Sequence, residues 1–102
     1  MLEIRPNCEH CDKDLPAEST QAMICSYECT FCRNCVEDVL FNVCPNCGGG
    51  LCSRPIRPAE ERRAKLSTSH QPPSTTRVMS KYSEQEMSDF ANKYKHIAPE
   101  KR

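Results

Sequence analysis

The chain has 102 residues, nine of them cysteine and none tryptophan, and its formal charges balance to zero. That length allows one ordinary domain, or a very small one with an appendage, and the cysteines select the second because all nine lie in the first 52 residues, where the apolar core is too poor to fold without metals, disulfides or oligomerisation. Charge divides the same way, three Lys/Arg against eight Asp/Glu in residues 1–52 and eleven against six in residues 53–102, so the cysteine-rich part is poorly suited to gripping phosphates.

Met1 to Asn7 contains Glu3 and Arg5 and runs straight into Cys8, leaving no room for the apolar core of a signal peptide. No stretch approaches the roughly eighteen apolar residues of a membrane span. A cytoplasmic chain is therefore expected, in which dense cysteine reads as metal or redox chemistry rather than as a disulfide scaffold. Cys8-Glu9-His10-Cys11 has the spacing at which a tight turn presents two thiolates to one tetrahedral zinc. Cys25, Cys29, Cys32 and Cys35 follow, too crowded for one simple turn but suited to two interleaved half-sites. Cys44-Pro45-Asn46-Cys47 closes the series with a second Cys-x-x-Cys pair. Eight such ligands make two closed four-sulfur sites, structural rather than catalytic, and predict two zinc ions. Cys52 has no partner at metal spacing and reads as a spare thiol.

The boundary of this unit is expected near residue 57, where Ser53-Arg54-Pro55-Ile56-Arg57-Pro58 suits no regular element. Residues 58–82 are read as a charged helix followed by a flexible linker. Ala59 to Leu66 offers two helical turns without an apolar face, and Ser67 to Arg77 holds Pro72-Pro73 and six Ser/Thr residues. Residues 83–98 are read as an amphipathic helix. Ser83 and Glu86 have the spacing of a capping box, Met87, Phe90, Ala91, Tyr94 and Ile97 share one face, and Pro99 stops it. Such a helix is marginal alone. It is expected to dock on its own zinc unit, on a second copy in a homodimer, or on another protein.

Read as pairs, the cysteines from Cys8 to Cys47 resemble the RING finger pattern with cysteine at all eight ligand positions. Cys29-Thr30-Phe31-Cys32 is similar to the RING stretch in which phenylalanine precedes the fifth ligand, Cys44-Pro45-Asn46-Cys47 to its last knuckle, and Cys35 to Asn42 to its short central helix. The resemblance implies a fold class of small metal-bound domain, a RING-like zinc cross-brace with a short β-hairpin around Ile24 to Phe31 and one short helix at Val36 to Phe41 facing inward through Val36, Val39 and Leu40. It also implies the pairing, with Cys8, Cys11, Cys32 and Cys35 on one ion and Cys25, Cys29, Cys44 and Cys47 on the other. The opening Met-Leu-Glu-Ile-Arg-Pro-Asn-Cys and the whole 1–57 stretch resemble a bacterial family of small cysteine-rich proteins of unknown function.

No general acid, no nucleophile with a base and no open metal position is visible, so the sequence predicts a non-enzymatic protein-interaction module. A ubiquitin-ligase-like adaptor is the alternative, although Glu9-His10 stands where such ligases place an apolar contact for the conjugating enzyme, and Gly48-Gly49-Gly50 where many carry a basic residue. A nucleic-acid-binding regulator is the second alternative, through Arg54, Arg57, Arg62, Arg63 and Lys65, diluted by Glu60 and Glu61 and without interleaved aromatics. Cys29-x-x-Cys32-x-x-Cys35 also mimics an iron–sulfur run, but its fourth candidate, Cys44, stands eight residues on and two pairs would be left idle. A redox dithiol at Cys8 and Cys11 lacks the strand and helix it needs. His10 is read as solvated or supporting the ligands, and His70 and His96 have no ligand company.

Overall fold

In the computed structural model, which describes residues 1–102, the chain first pairs with itself at β1 (Ala22–Ile24) and β2 (Thr30–Cys32), an antiparallel hairpin with Met23 opposite Phe31. Ile24, Thr30 and Phe31 are the β-branched and aromatic types that suit a half-buried pleat. The turn is tight because Glu28 takes a left-handed conformation, φ 70°, and its N–H donates back to the Cys25 carbonyl at 3.1 Å. A further strand, β3 (Cys52–Ser53), pairs with the outer edge of β1. Two residues carry no alternation to read, so the sequence gives no sign of it.

The chain leaves β2 directly into α1 (Arg33–Cys35), which widens into a π-helical turn over Val36–Leu40. The helix expected at Val36 to Phe41 thus starts three residues sooner, and Phe41 leaves it in the left-handed region at φ 47°. Val36 and Leu40 are buried and Val39 packs partly against them, the inward face expected of this segment.

The reading of residues 58–82 is corrected. No helix forms from Ala59 to Leu66; the Leu66 N–H closes a turn on the Arg63 carbonyl, and Lys65 sits at φ 65°. A charged helix with no apolar face has nothing to bury, whereas this loop satisfies its backbone through Gln71, whose Nε2 donates to the Lys65 carbonyl at 2.8 Å. Arg57 ties the loop's base, donating to the Gln71 and Leu2 carbonyls at 2.6 and 2.7 Å. The expected flexible linker is a strap along the cysteine-rich unit. Ser74 N–H donates to the Ile4 carbonyl, Ser80 N–H to the Glu9 carbonyl, and Val78 exchanges both of its backbone bonds with the side chain of fully buried Asn7. Arg77 also bridges Asp12 and Asp14, an exposed contact that adds little. The tail thus makes backbone contacts with the cysteine-rich unit that its composition does not suggest.

Helix α2 (Glu84–Tyr94) carries the expected capping box, Ser83 Oγ accepting from the Glu86 N–H and the Glu86 carboxylate from the Ser83 N–H. It ends sooner than residue 98, at a cap on Lys95, and a 3-10 turn follows at Pro99–Lys101. It packs on the chain's own cysteine-rich unit. Met87 and Ala91 are buried against the π-helical turn, and Met87 joins Leu15, Phe31, Val36, Leu40 and Leu51 in the core. The outer part of the stripe is less covered, with Tyr94 37% and Ile97 39% exposed. No helix is long and apolar enough to cross a membrane.

Candidate metal centre

The same local device presents both Cys-x-x-Cys pairs. Asp12 N–H donates to the Cys8 carbonyl at 3.0 Å and Gly48 N–H to the Cys44 carbonyl at 2.7 Å, each donor sitting in the left-handed region at φ 64° and 82°. Such a turn folds the chain back within five residues and aims its two thiols to one side. Glycine takes this conformation without strain, while Asp12 is held in it by its side-chain contacts with Asn7 and Arg77.

The sulfur atoms gather in two groups. Cys8 and Cys11, from the first knuckle, meet Cys32 at the end of β2 and Cys35 at the end of α1, all four sulfurs within 4.8 Å of one another. Cys25, just after β1, meets Cys44 and Cys47 of the last knuckle within the same limit. Cys11 and Cys32 lie 3.8 Å apart, and four sulfurs at the corners of a tetrahedron with zinc–sulfur bonds of about 2.3 Å stand roughly 3.8 Å from each other. The groups interleave along the chain, since Cys25 lies between the two halves of the first. Cys29 stands outside the tight second set, yet it is buried and close enough to Cys25 and Cys44 to shift the ionisation of both. All nine cysteines are free thiols. Cys52 is exposed on β3 and belongs to neither group.

Electrostatics show why such a set calls for a cation. In the second group, hydrogen bonds from the Cys29 and Cys44 thiols hold the Cys25 pKa down to about 3. Contacts with Cys25 and then Cys29, with burial, drive the Cys44 thiol far up. In the first group, burial and then the Cys32 thiol push Cys35 up, and burial raises Cys8. Cys11 is lowered: burial opposes its charge, but the Lys13 N–H and the Cys8, Cys32 and Cys35 thiols outweigh it. One thiolate is thus stabilised by its neighbours' S–H groups, and the next ionisation would set like charges within a few ångströms. A divalent cation reverses that repulsion, so both clusters have the donor chemistry to hold metal ions and fit zinc.

Other expected residues lie elsewhere. His10 contacts the Glu84 carboxylate at 3.1 Å, tying the first knuckle to the start of α2 rather than joining a thiol group. His70 contacts Glu61. Arg54 is withdrawn from the basic surface, 4% exposed, its guanidinium donating to the Arg5, Leu15 and Pro16 carbonyls. Burial lowers its pKa, and its Nε has no partner.

Three features around the site escape a reading of the sequence. Glu9 is 2% exposed, its carboxylate accepting from Arg5 Nη1 at 2.8 Å and from the Thr30 N–H at 2.5 Å. Burial raises its pKa against the pull of those two donors. Asn7 receives the strap. Gly48 and Gly50 seat the tail: a Cβ on Gly48 would stand 3.6 Å from the Phe90 ring, and one on Gly50 would stand 2.9 Å from Pro99 Cβ. Gly-Gly-Gly after a metal knuckle is the one signal that could have marked a close approach.

Residues 1–57 match the model of a family described as "Protein of unknown function (DUF1272)". An uncharacterized protein of Rhizobium meliloti (strain 1021) is 53% identical over 79 residues, 78% of this chain and 87% of that protein. No solved structure matches.

Proposed function

The chain belongs to the family described as Protein of unknown function (DUF1272), and from the thiol geometry we propose that it is a zinc-stabilised, non-enzymatic protein-interaction module. Its two zinc ions are held in a RING-like cross-brace, Cys8, Cys11, Cys32 and Cys35 on one and Cys25, Cys29, Cys44 and Cys47 on the other. The observation that carries this reading is the interleaving of the two sulfur groups, which is what a cross-brace requires of the chain. Thiolates that all come from the protein leave the ion no vacant position for a substrate, so the metal supplies shape rather than chemistry. Cytoplasmic location follows from the same chemistry, since reduced thiols are the ligands.

The ligase-like alternative is weaker on two observations. Glu9, in the loop that would meet a conjugating enzyme, is turned inward and held by Thr30 and Arg5. Pro45 of the last knuckle is buried beside Tyr82 and Phe90 of the tail. The nucleic-acid alternative loses Arg54 and Arg57 to internal carbonyls, leaving Arg62, Arg63 and Lys65 exposed. Elemental analysis of the purified chain is expected to return two zinc per chain and no iron. Added to a conjugating enzyme charged with ubiquitin, the zinc-loaded chain is expected to leave its discharge rate unchanged. One zinc, bound iron, or accelerated discharge would contradict the reading.

A further inference from the structure

The π-helical turn ends on a phenylalanine that the fold holds out to solvent against its own preference. Phe41 and Asn42 are both left-handed, φ 47° and 60°, a backbone that bulky side chains rarely adopt, and Phe41 is 44% exposed. Strain of this kind persists only where the surroundings impose it, and it gathers at sites of function, as π-helical turns do. Here the tail imposes it. Arg102 Nη1 donates to the Asn42 carbonyl at 2.7 Å while its Nε donates to the Ile97 carbonyl at 2.9 Å. That clasp brings the backbone at Ile97 beside that of Asn42, and Lys95 Nζ lies 4.9 Å from the centre of the Phe41 ring.

Beside this knob is a hole. Met23, Val36, Glu37 and Leu51 line a hollow of about 390 Å³ with Phe41 at its rim, and no tail residue enters it. Val36 and Leu51 are buried and give it an apolar floor, while Glu37 is exposed and makes no ion pair. Arg33, the cation that also borders the hollow, is engaged with the Thr20 carbonyl and the Ser53 hydroxyl. An aromatic ring seated there from outside would lie against Phe41, and a lysine riding on that ring would arrive at Glu37. Knob and hole stand side by side on one surface, so the partner that fits carries the same pair turned about a two-fold axis. A uniformly acidic partner would meet Glu37 and Asp38, and a uniformly basic one Lys93 and Lys95, all four exposed. A second copy avoids both repulsions.

We propose that this face is a self-complementary docking surface for a second copy of the chain, in which Phe41 of each copy fills the hollow of the other and Lys95 of each pairs with Glu37 of the other. The proposal rests on the interaction-module reading and deepens it by naming the partner. About a tenth of the chain's 6331 Å² surface from each copy makes roughly 1,300 Å² in all, near the lower limit of stable interfaces. The dimer is therefore weak and reversible.

Sedimentation of the full zinc-loaded chain over a wide range of concentration, with a reductant present so that exposed Cys52 forms no cross-link, is expected to show a monomer–dimer equilibrium and nothing larger. Phe41→Asn removes the ring and substitutes a residue at ease in the left-handed region. It should weaken association by about thirtyfold or more, while the melt of the dilute monomer stays where it was or rises. Lys95→Glu and Glu37→Lys should each weaken association by about tenfold. Mixing these two variants should restore it, since both ion pairs of the mixed dimer then join opposite charges, and a folding defect would not be rescued in this way. A chain monomeric at every concentration, a Phe41→Asn variant that dimerises like its parent, a mixture that associates no better than its components, or growth into open chains of copies would each overturn the proposal and leave the zinc module standing. A chain that takes up no zinc would overturn both.

Discussion

Removing both metals is expected to unfold the cysteine-rich unit and release the tail with it. Six of the thirteen residues in the buried core cluster are cysteines, so with thiolates turned back to thiols the core is reduced to Leu15, Ala22, Phe31, Val36, Leu40, Leu51 and Met87. A structural zinc site contributes an apparent 10 to 16 kcal/mol, roughly, of coupled binding and folding, and a small domain has about 5 to 15 kcal/mol of stability in all. The metals therefore outweigh everything else on that scale. Excess chelator should collapse amide dispersion across residues 1–57 and abolish the cooperative melt, and added zinc should restore both. Acid should do the same, because protons compete with the ion for each thiolate and falling pH favours release. An apo chain that kept its dispersed spectrum and cooperative melt would contradict this.

Arg54→Ala is expected to be the most damaging change away from the cysteines, lowering stability by about 3 kcal/mol or more. The Arg54 guanidinium closes three stretches of chain at once, donating to the Arg5 carbonyl at 2.8 Å and to the Leu15 and Pro16 carbonyls at 3.2 and 2.9 Å. Alanine would leave those carbonyls without donors in a buried place and open a cavity the length of the side chain. Arg54→Lys should recover less than half of the loss, since an ammonium cannot fork between groups placed for a planar guanidinium. Urea unfolding at fixed free zinc measures both, with zinc stoichiometry unchanged. A loss under about 0.5 kcal/mol, the range of ordinary surface substitutions, would mean that the buried arginine is a passenger.

What could be read in the sequence was local. Turn residues and cysteine spacing within five positions located the knuckles, Ser83 and Glu86 located the start of α2, and Val36 and Leu40 located an inward face, because each signal lies within one or two turns of the structure it makes. What could not be read depended on partners far along the chain. Ser67 to Arg77 has the composition of a linker, yet the strap beyond and within it is fixed by bonds such as that from Asn7 to the Val78 carbonyl, 71 residues apart. Arg54, Arg57 and Glu9 look like surface charges until their acceptors and donors arrive from other segments. The candidate site divides on the same line. Spacing marked eight cysteines as candidate ligands, and seven of them stand in the two tight sulfur groups, but how Cys29 sits beside Cys25 and Cys44 depends on the turn at Glu28 and on no spacing rule.

Cadmium NMR tests the central claim most directly, because each cadmium substituted for zinc couples through its bonds to the β-protons of the cysteines that hold it. Two resonances are predicted, one coupled to Cys8, Cys11, Cys32 and Cys35 and the other to Cys25, Cys29, Cys44 and Cys47, with Cys52 coupled to neither. A resonance joining Cys8 and Cys11 to Cys25 and Cys29, or one that includes Cys52, would contradict the interleaved arrangement on which the account rests.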